Sequence, residues 1–220
     1  PSSSHTLGPW RAAERFLSEL RNQKTISQVT RIQIDLYGSL SLTGKGHATD
    51  LAIMLGLSGQ NPETIPVKNI TGIIQSIKDK NEICLGEERS IPFHFSEDLI
   101  FNKNFLPFHA NALTFTAFLA DTTAYSATYY SIGGGFVVKE ERVNAKKKLE
   151  LKCAFPFPIQ NGEELLKYTQ NEKKTISEIV YENEKSMRLE IEIHSELMRI
   201  WDTMLECMYI GCHTDGILPG

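Results

Sequence analysis

Ala112-Leu113-Thr114-Phe115-Thr116-Ala117-Phe118-Leu119 and Ala124-Tyr125-Ser126-Ala127-Thr128-Tyr129-Tyr130 are the two stretches that decide the fold. Each alternates large apolar with hydroxyl or small residues at a period of two, as in a half-buried strand. Ala120-Asp121-Thr122-Thr123 between them is short and polar, so the pair predicts a β-hairpin. Upstream, Arg31–Tyr37 has the same alternation, with Ile32, Ile34 and Leu36 opposite Gln33 and Asp35, and Ile91–Phe95 reads as another strand. Downstream, Gly133-Gly134-Gly135 interrupts the pattern before Phe136-Val137-Val138.

Helical spacing surrounds these strands. Trp10, Ala13, Phe16, Leu17 and Leu20 follow an i, i+3, i+4 pattern, with Thr6 in the N-cap region and Pro9 in the first turn. Leu51–Leu57 suits a buried helix, and Asn69–Lys80 places Ile70, Ile73, Ile74 and Ile77 on one face. Ser39–Gly46 reads as a small, glycine-containing loop that leaves His47 at a strand-to-helix junction. Strand signals cease after about residue 158, and helical spacing then runs from Gly162 to about Gly211. The expected architecture is α+β: a mixed or antiparallel sheet with packed helices over residues 1–158, then an all-helical segment over 159–220.

Composition narrows the function. Of 220 residues, 41% are hydrophobic and 23% charged, which excludes a disordered or low-complexity chain. With 23 Lys and Arg against 27 Asp and Glu, the net charge is -4, so no electrostatic footprint for nucleic acid exists. The basic run Lys146–Lys148 is flanked by Glu140, Glu141 and Glu150 and reads as a solvated turn. No apolar run approaches the roughly 18 residues of a membrane span. Cys84, Cys153, Cys207 and Cys212 form no CxxC pair, so we expect reduced thiols in the cytoplasm and no metal site in this chain. Pro1 without a preceding Met, and an end at Leu218-Pro219-Gly220 after a helical run, predict part of a longer polypeptide.

Four loop-placed polar clusters are candidates for chemistry: Ser2-Ser3-Ser4-His5-Thr6, Thr43-Gly44-Lys45-Gly46-His47-Ala48-Thr49-Asp50, Phe108-His109-Ala110-Asn111, and Tyr129-Tyr130-Ser131-Ile132-Gly133-Gly134-Gly135. The first stands at a helix N-terminus, where free N–H groups favour a carboxylate or phosphate, though such residues also serve as simple caps. His47 has Asp50 one helical turn on, a carboxylate able to orient the ring as a general base requires. His109 and Asn111, two apart, share one side of an extended backbone. Gly133 and Gly134 permit close approach to a ligand, or a bulge or turn; the Lys and Ser or Thr of a phosphate loop are absent.

Taken together, Ser2-Ser3-Ser4-His5-Thr6 before Gly8-Pro9, Tyr37–His47 with Thr49-Asp50, Tyr129–Phe136 and Thr214-Asp215-Gly216-Ile217-Leu218-Pro219-Gly220 resemble the bacterial iron-sulfur L-serine dehydratases over the whole chain. Ala112, Leu113 and Trp10 depart from the family pattern. The resemblance implies conversion of L-serine to pyruvate and ammonia without pyridoxal phosphate, by an enzyme carrying an oxygen-sensitive four-iron four-sulfur cluster. An iron of that cluster acts as Lewis acid on the substrate hydroxyl, and its cysteines lie in a following catalytic domain. It further implies that residues 1–158 form the family's β domain, similar to the allosteric substrate-binding domain of some phosphoglycerate dehydrogenases, and that 159–220 begin the cluster domain. His47 and His109 become candidates for base and proton shuttle, with His47 favoured. Ser2, Ser3, Ser4, His5, Thr6 and Asn111 become substrate-binding candidates, and Lys45, Asp50, Gly133 and Gly134 supporting ones. The implied partners are L-serine, the chain's own C-terminal cluster domain and a second copy in a homodimer. Two alternatives remain from the residues themselves: a regulatory module that binds serine or another carboxylate without turnover, and a separate small β subunit.

Overall fold

The computed structural model describes residues 4–120, 123–141 and 155–216, with the side chain of Lys45 excepted. Ser2, Ser3, the Asp121-Thr122 turn, Lys146–Lys148 and Cys153 therefore lie outside the described residues. The chain divides into two compact units, 1–147 and 148–220.

In the first unit, helix α1 (Leu7–Asn22) precedes strand β1 (Val29–Tyr37), which leads into helices α2 (Gly38–Thr43) and α3 (Thr49–Leu57). Helix α4 (Val67–Lys80) is followed by strands β2 (Glu82–Leu85) and β3 (Arg89–Pro92), a short helix α5 (Phe95–Asp98) and strand β4 (Leu99–Phe101). Strands β5 (Asn111–Leu119), β6 (Ala124–Gly133) and β7 (Phe136–Lys139) complete it. The main sheet has the order β4-β1-β5-β6-β7, and β2 and β3 form a separate ribbon. Among the described strands β1 and β4 run parallel and the other pairs antiparallel, so the sheet is mixed, and the fold is α+β.

The predicted hairpin is present, with Phe115 opposite Ala127 and Leu113 opposite Tyr129. Its apolar face and that of β1 meet α1, where Phe16 stacks on Phe115 at 5.0 Å and on Tyr125 at 5.8 Å. The opposite face carries Thr114–Thr128 and Thr116–Ser126 hydroxyl pairs at 2.8 and 3.1 Å, which explains the strict alternation. Helix α3 packs on α1 where a side chain at Gly56 would stand 2.7 Å from Ala13 Cβ. Ile32, Ile34, Leu36, Leu113, Phe115 and Tyr129 are wholly buried between these layers. Buried Asp98 closes the start of β4, accepting from Arg31 at 2.7 Å and from the His94 backbone N–H at 2.7 Å.

Ser39–Gly46 is no loop: Gly38–Thr43 is helical and Gly44–His47 is a 3-10 turn. The strand expected at Ile91–Phe95 spans Arg89–Pro92 and pairs with β2, which alternates but is only four residues long, too short to announce itself. Thr6 stands at the N-cap of α1 as expected, though its hydroxyl makes no capping bond.

The second unit contains helices α6 (Gly162–Glu172), α7 (Ile176–Lys185) and α8 (Glu190–Cys212). Asn161 caps α6, and a Thr175/Glu178 capping box opens α7. Asn183 of α7 brackets the Phe157 backbone, accepting from its N–H at 2.9 Å and donating to its carbonyl at 2.7 Å. Among the described residues of this unit only Ile179 and Ile193 are buried hydrophobics. No described helix is long and apolar enough to cross a membrane.

Candidate active site

The site is built where β1 hands over to α3. Gly38 ends β1 at φ +56, and a side chain there would stand 2.2 Å from the Ala110 carbonyl oxygen, so only glycine permits this turn. The chain then winds through α2 and the 3-10 turn to Ala48, whose φ of 54 is left-handed. That conformation costs an alanine about 1–2 kcal/mol, and strain of this kind is characteristic of residues held in place for function. Ala48 sits immediately after His47 and leaves that histidine exposed at the corner.

Two reciprocal hydrogen bonds lace this corner to the start of α1. Thr6 Oγ1 donates to the His47 carbonyl at 2.9 Å, and Thr49 Oγ1 donates to the His5 carbonyl at 2.5 Å. The His5 and His47 rings consequently stand 5.1 Å apart, centroid to centroid, tilted by 51°. Both His5 nitrogens face hydroxyls, Nδ1 that of Ser4 at 3.0 Å and Nε2 that of Ser39 at 2.9 Å. Burial lowers the pKa of His5, the charge of His47 lowers it further, and a hydrogen bond with Ser39 opposes both.

Ser39 carries the site onward. Its N–H donates to the Ala110 carbonyl at 2.8 Å, which draws the His109–Asn111 loop to the residue whose hydroxyl meets His5. His109 folds back so that its Nδ1 accepts the Asn111 backbone N–H at 3.0 Å. With Nδ1 engaged as acceptor, the neutral ring carries its proton on Nε2 and is a donor there. Asn111 is buried, donates through Nδ2 to the Ser131 carbonyl at 3.4 Å, and has an Oδ1 without a hydrogen-bond partner among the described residues. Ser131 in turn donates to the Ser4 carbonyl at 2.7 Å.

Ser4, His5, Thr6, His47, His109 and Asn111 therefore share one connected network. Asp50 lies in the first turn of α3, and no hydrogen bond joins it to His47. Gly133 and Gly134, at φ 103 and 58, build the β6–β7 turn beside a register shift, and a side chain at Gly135 would strike Leu7 at 2.7 Å. Ser39, Thr49, Gly8 and Ser131 were not singled out by sequence. Each lies in or beside a quoted motif, but serines and a glycine carry no spacing signal of their own.

A second polar cluster lies at the far end of α1. Glu19 accepts from Tyr125 at 2.5 Å and from Lys139 at 3.0 Å, in a cleft of about 450 Å³ lined also by Arg15, Ser18, Tyr129 and Glu141. Among the described residues no three His, Cys, Asp or Glu side chains converge as metal ligands. Cys84, Cys207 and Cys212 are free and exposed.

Comparison with known proteins places this geometry. Residues 1–142 match the family described as serine dehydratase beta chain. All of the chain aligns with L-serine dehydratase of Haemophilus influenzae at 38% identity, covering 48% of that protein. L-serine dehydratase 1 of Escherichia coli is also 38% identical, with 48% of it covered, and L-serine dehydratase of Streptomyces coelicolor is 39% identical, with 49% covered. The chain spans about half the length of these curated relatives. With its N-terminal hydroxyl run, its His47 corner and its His109–Asn111 loop joined in one network, the chain belongs to the serine dehydratase beta chain family.

Proposed function

We propose that this chain is part of an L-serine ammonia-lyase, and that it supplies the base and the substrate-binding groups. The observation that carries the reading is the convergence of Ser4, His5, His47, His109 and Asn111 through bonds at Ser39 and Ser131. L-serine loses its α-proton to a base and its hydroxyl from the β-carbon. The resulting aminoacrylate tautomerises to an imine, which water hydrolyses to pyruvate and ammonia.

His47 is the base. It is exposed at the corner and, among the described residues, no hydroxyl engages its ring, whereas both nitrogens of His5 meet hydroxyls. His109 is the donor, because Nδ1 is committed to Asn111 and Nε2 carries the proton. Ser4, His5 and Thr6, with Ser2 and Ser3 before them, receive the substrate carboxylate beside the N-terminus of α1. Asn111 Oδ1, the acceptor without a donor, suits the substrate ammonium. Lys45 and Asp50 balance charge at the corner, and Gly133 and Gly134 shape the wall.

A four-iron four-sulfur cluster belongs to the same reading. Its cysteine ligands are assigned to the rest of the enzyme, in keeping with the lack of a ligand set among the described residues; the same reading expects no pyridoxal phosphate. In this reading 1–158 is the β domain and 159–220 the start of the cluster domain; the compact units part at 147/148 instead, while the described elements from Gly162 onward are all helices. Leu197, Ile200, Met204 and Met208 of α8 are each 51–55% exposed, an apolar face that further chain of a protein twice this length would cover. The complete enzyme is expected to be a cytoplasmic homodimer.

The test is anaerobic pyruvate formation from L-serine by the full-length, cluster-loaded protein. Turnover in the wild type and a kcat lowered at least ~100-fold in His47→Ala are expected, the usual size of a general-base contribution. Absence of turnover, or a loss under tenfold in the variant, would respectively overturn the activity and move the base elsewhere. Serine binding without turnover would instead favour a sensor.

A further inference from the structure

Ser131 fastens both the N-terminal segment and the His109–Asn111 loop to a single strand residue. It is wholly buried on β6. Its hydroxyl donates to the Ser4 carbonyl at 2.7 Å, and its carbonyl accepts Nδ2 of Asn111 at 3.4 Å. Gly8 faces it from the first turn of α1, where a Cβ would lie 1.9 Å from Ser131 Oγ and 2.6 Å from Ser131 Cβ. The backbone of α1 thus approaches β6 closer than any side chain at position 8 permits, and that approach puts the Ser4 carbonyl within reach of the hydroxyl. The contact with Asn111 has a second effect. By taking the amide nitrogen, the Ser131 carbonyl fixes which end of the Asn111 side chain is left over, and the end left over is the partnerless Oδ1. A register shift between Ser131 and Gly133 lets the strand depart from regular pairing just beyond this point.

We infer that Ser131, with Gly8 as its necessary partner, is a positioning residue for substrate binding, clamping Ser4-His5 and orienting the Asn111 amide without touching substrate itself. The inference rests on the L-serine reading above. A serine interior to a strand is an ordinary residue, and neither hydrogen bond alone would mark it. The combination of a buried hydroxyl, a glycine that cannot be replaced opposite it, and two ties to two site segments does.

Three variants of the full-length, cluster-loaded enzyme test it. Ser131→Ala removes the hydroxyl and is expected to raise KM for L-serine about tenfold while lowering kcat less than threefold, because binding groups are displaced and the base is not. Gly8→Ala is expected to lower Tm, since the new methyl overlaps Ser131. Adding Ser131→Gly relieves the overlap, the next atom being the position 131 Cα at 3.6 Å. The double variant should regain the Tm lost in Gly8→Ala and keep the raised KM. A wild-type KM in Ser131→Ala, or a KM that recovers together with Tm in the double variant, would overturn the positioning role and leave only packing. Absence of turnover in the wild type would count against the L-serine reading alone. The clamp is then judged by NMR titration of His5, which faces His47, Ser4 and Ser39. Ser131→Ala must shift that titration, and an unchanged curve would overturn the clamp as well.

Discussion

The two ends of α1 each carry a polar cluster, and they are built on opposite principles. At the C-terminal end, Glu19, Tyr125 and Lys139 satisfy one another through bonds of 2.5, 3.0 and 3.1 Å. Burial pushes the Glu19 carboxyl up, but hydrogen bonds from Tyr125 and Lys139 and the ammonium charge outweigh it and hold the carboxyl below its ordinary range. Burial likewise pulls the Lys139 ammonium down, and the bonds to Tyr125 and Glu19 more than reverse that. Tyr129 is pushed far up, by burial first and the Glu19 charge second. At the N-terminal end the groups are imidazoles, hydroxyls and an amide. There a ring is left exposed at His47 and an acceptor unmet at Asn111. The most perturbed titratable groups thus belong to the C-terminal cluster, where Glu19, Tyr125 and Lys139 are paired although the buried Tyr129 hydroxyl lacks a hydrogen-bond partner among the described residues, whereas the site sets an exposed imidazole beside an unmet amide acceptor. Strong perturbation points to function only where the groups remain available.

The comparison breaks most directly if activity follows the wrong end. His47→Ala should lower kcat by at least ~100-fold and leave Tm within a few degrees, because an exposed ring contributes little packing. Lys139→Met should do the reverse. Its Nζ is largely buried against Glu19, with 16% of the side chain exposed. Removing it strands a partly buried carboxylate at a cost of about 2 kcal/mol, below the 3–5 kcal/mol of a fully buried pair. Chemical denaturation reads that loss, and kcat should stay within twofold. A large fall in kcat with unchanged stability would place the chemistry at the C-terminal cluster instead.

A finer test uses pH. Glu19 is depressed below its model-compound value of 4.5, so its contribution is present above pH 4.5 and is lost as pH falls through the native-state pKa. His5 is depressed below 6.5, so the native state resists protonating it, and stability declines as pH falls below 6.5. Glu19→Gln should therefore flatten the acid limb below pH 4.5, and His5→Gln the limb just below 6.5. Identical limbs in both variants would show that the two clusters do not titrate separately.

How far the sequence carries differs between these regions for a physical reason. Strands β1, β5 and β6 declare themselves because one face is buried against α1 and the other bears hydroxyl pairs, which imposes period-two alternation over nine or ten residues. Strand β4, three residues long, has no room for alternation, and its parallel pairing with β1 comes from a long connection that leaves no local mark. Ser39–Thr43 became helical despite its turn-prone composition, because Gly38 sets the entry and the Ser39 N–H is met by Ala110. At the site, His5, His47, His109 and Asn111 are legible as reactive types on loops. Their meeting is not, since the bonds that bring them together span 20 to 127 residues of chain. Sequence offered Asp50 as the partner of His47; the structure puts His5 there.

Asp50 supplies the smallest expected effect. Its carboxylate sits in the first turn of α3, where it complements the positive end of the helix, and it makes no hydrogen bond to His47. Asp50→Asn should then cost roughly 0.3–1 kcal/mol of stability, as expected for a charge at a helix N-terminus, and change kcat less than threefold. The neutral amide retains the size of the side chain, so a tenfold fall in kcat would mean that charge at this corner raises the basicity of His47 across space. In that case the N-terminal end of α1 would depend on a neighbouring carboxylate much as the C-terminal end depends on Glu19, and the contrast between them would be one of exposure alone.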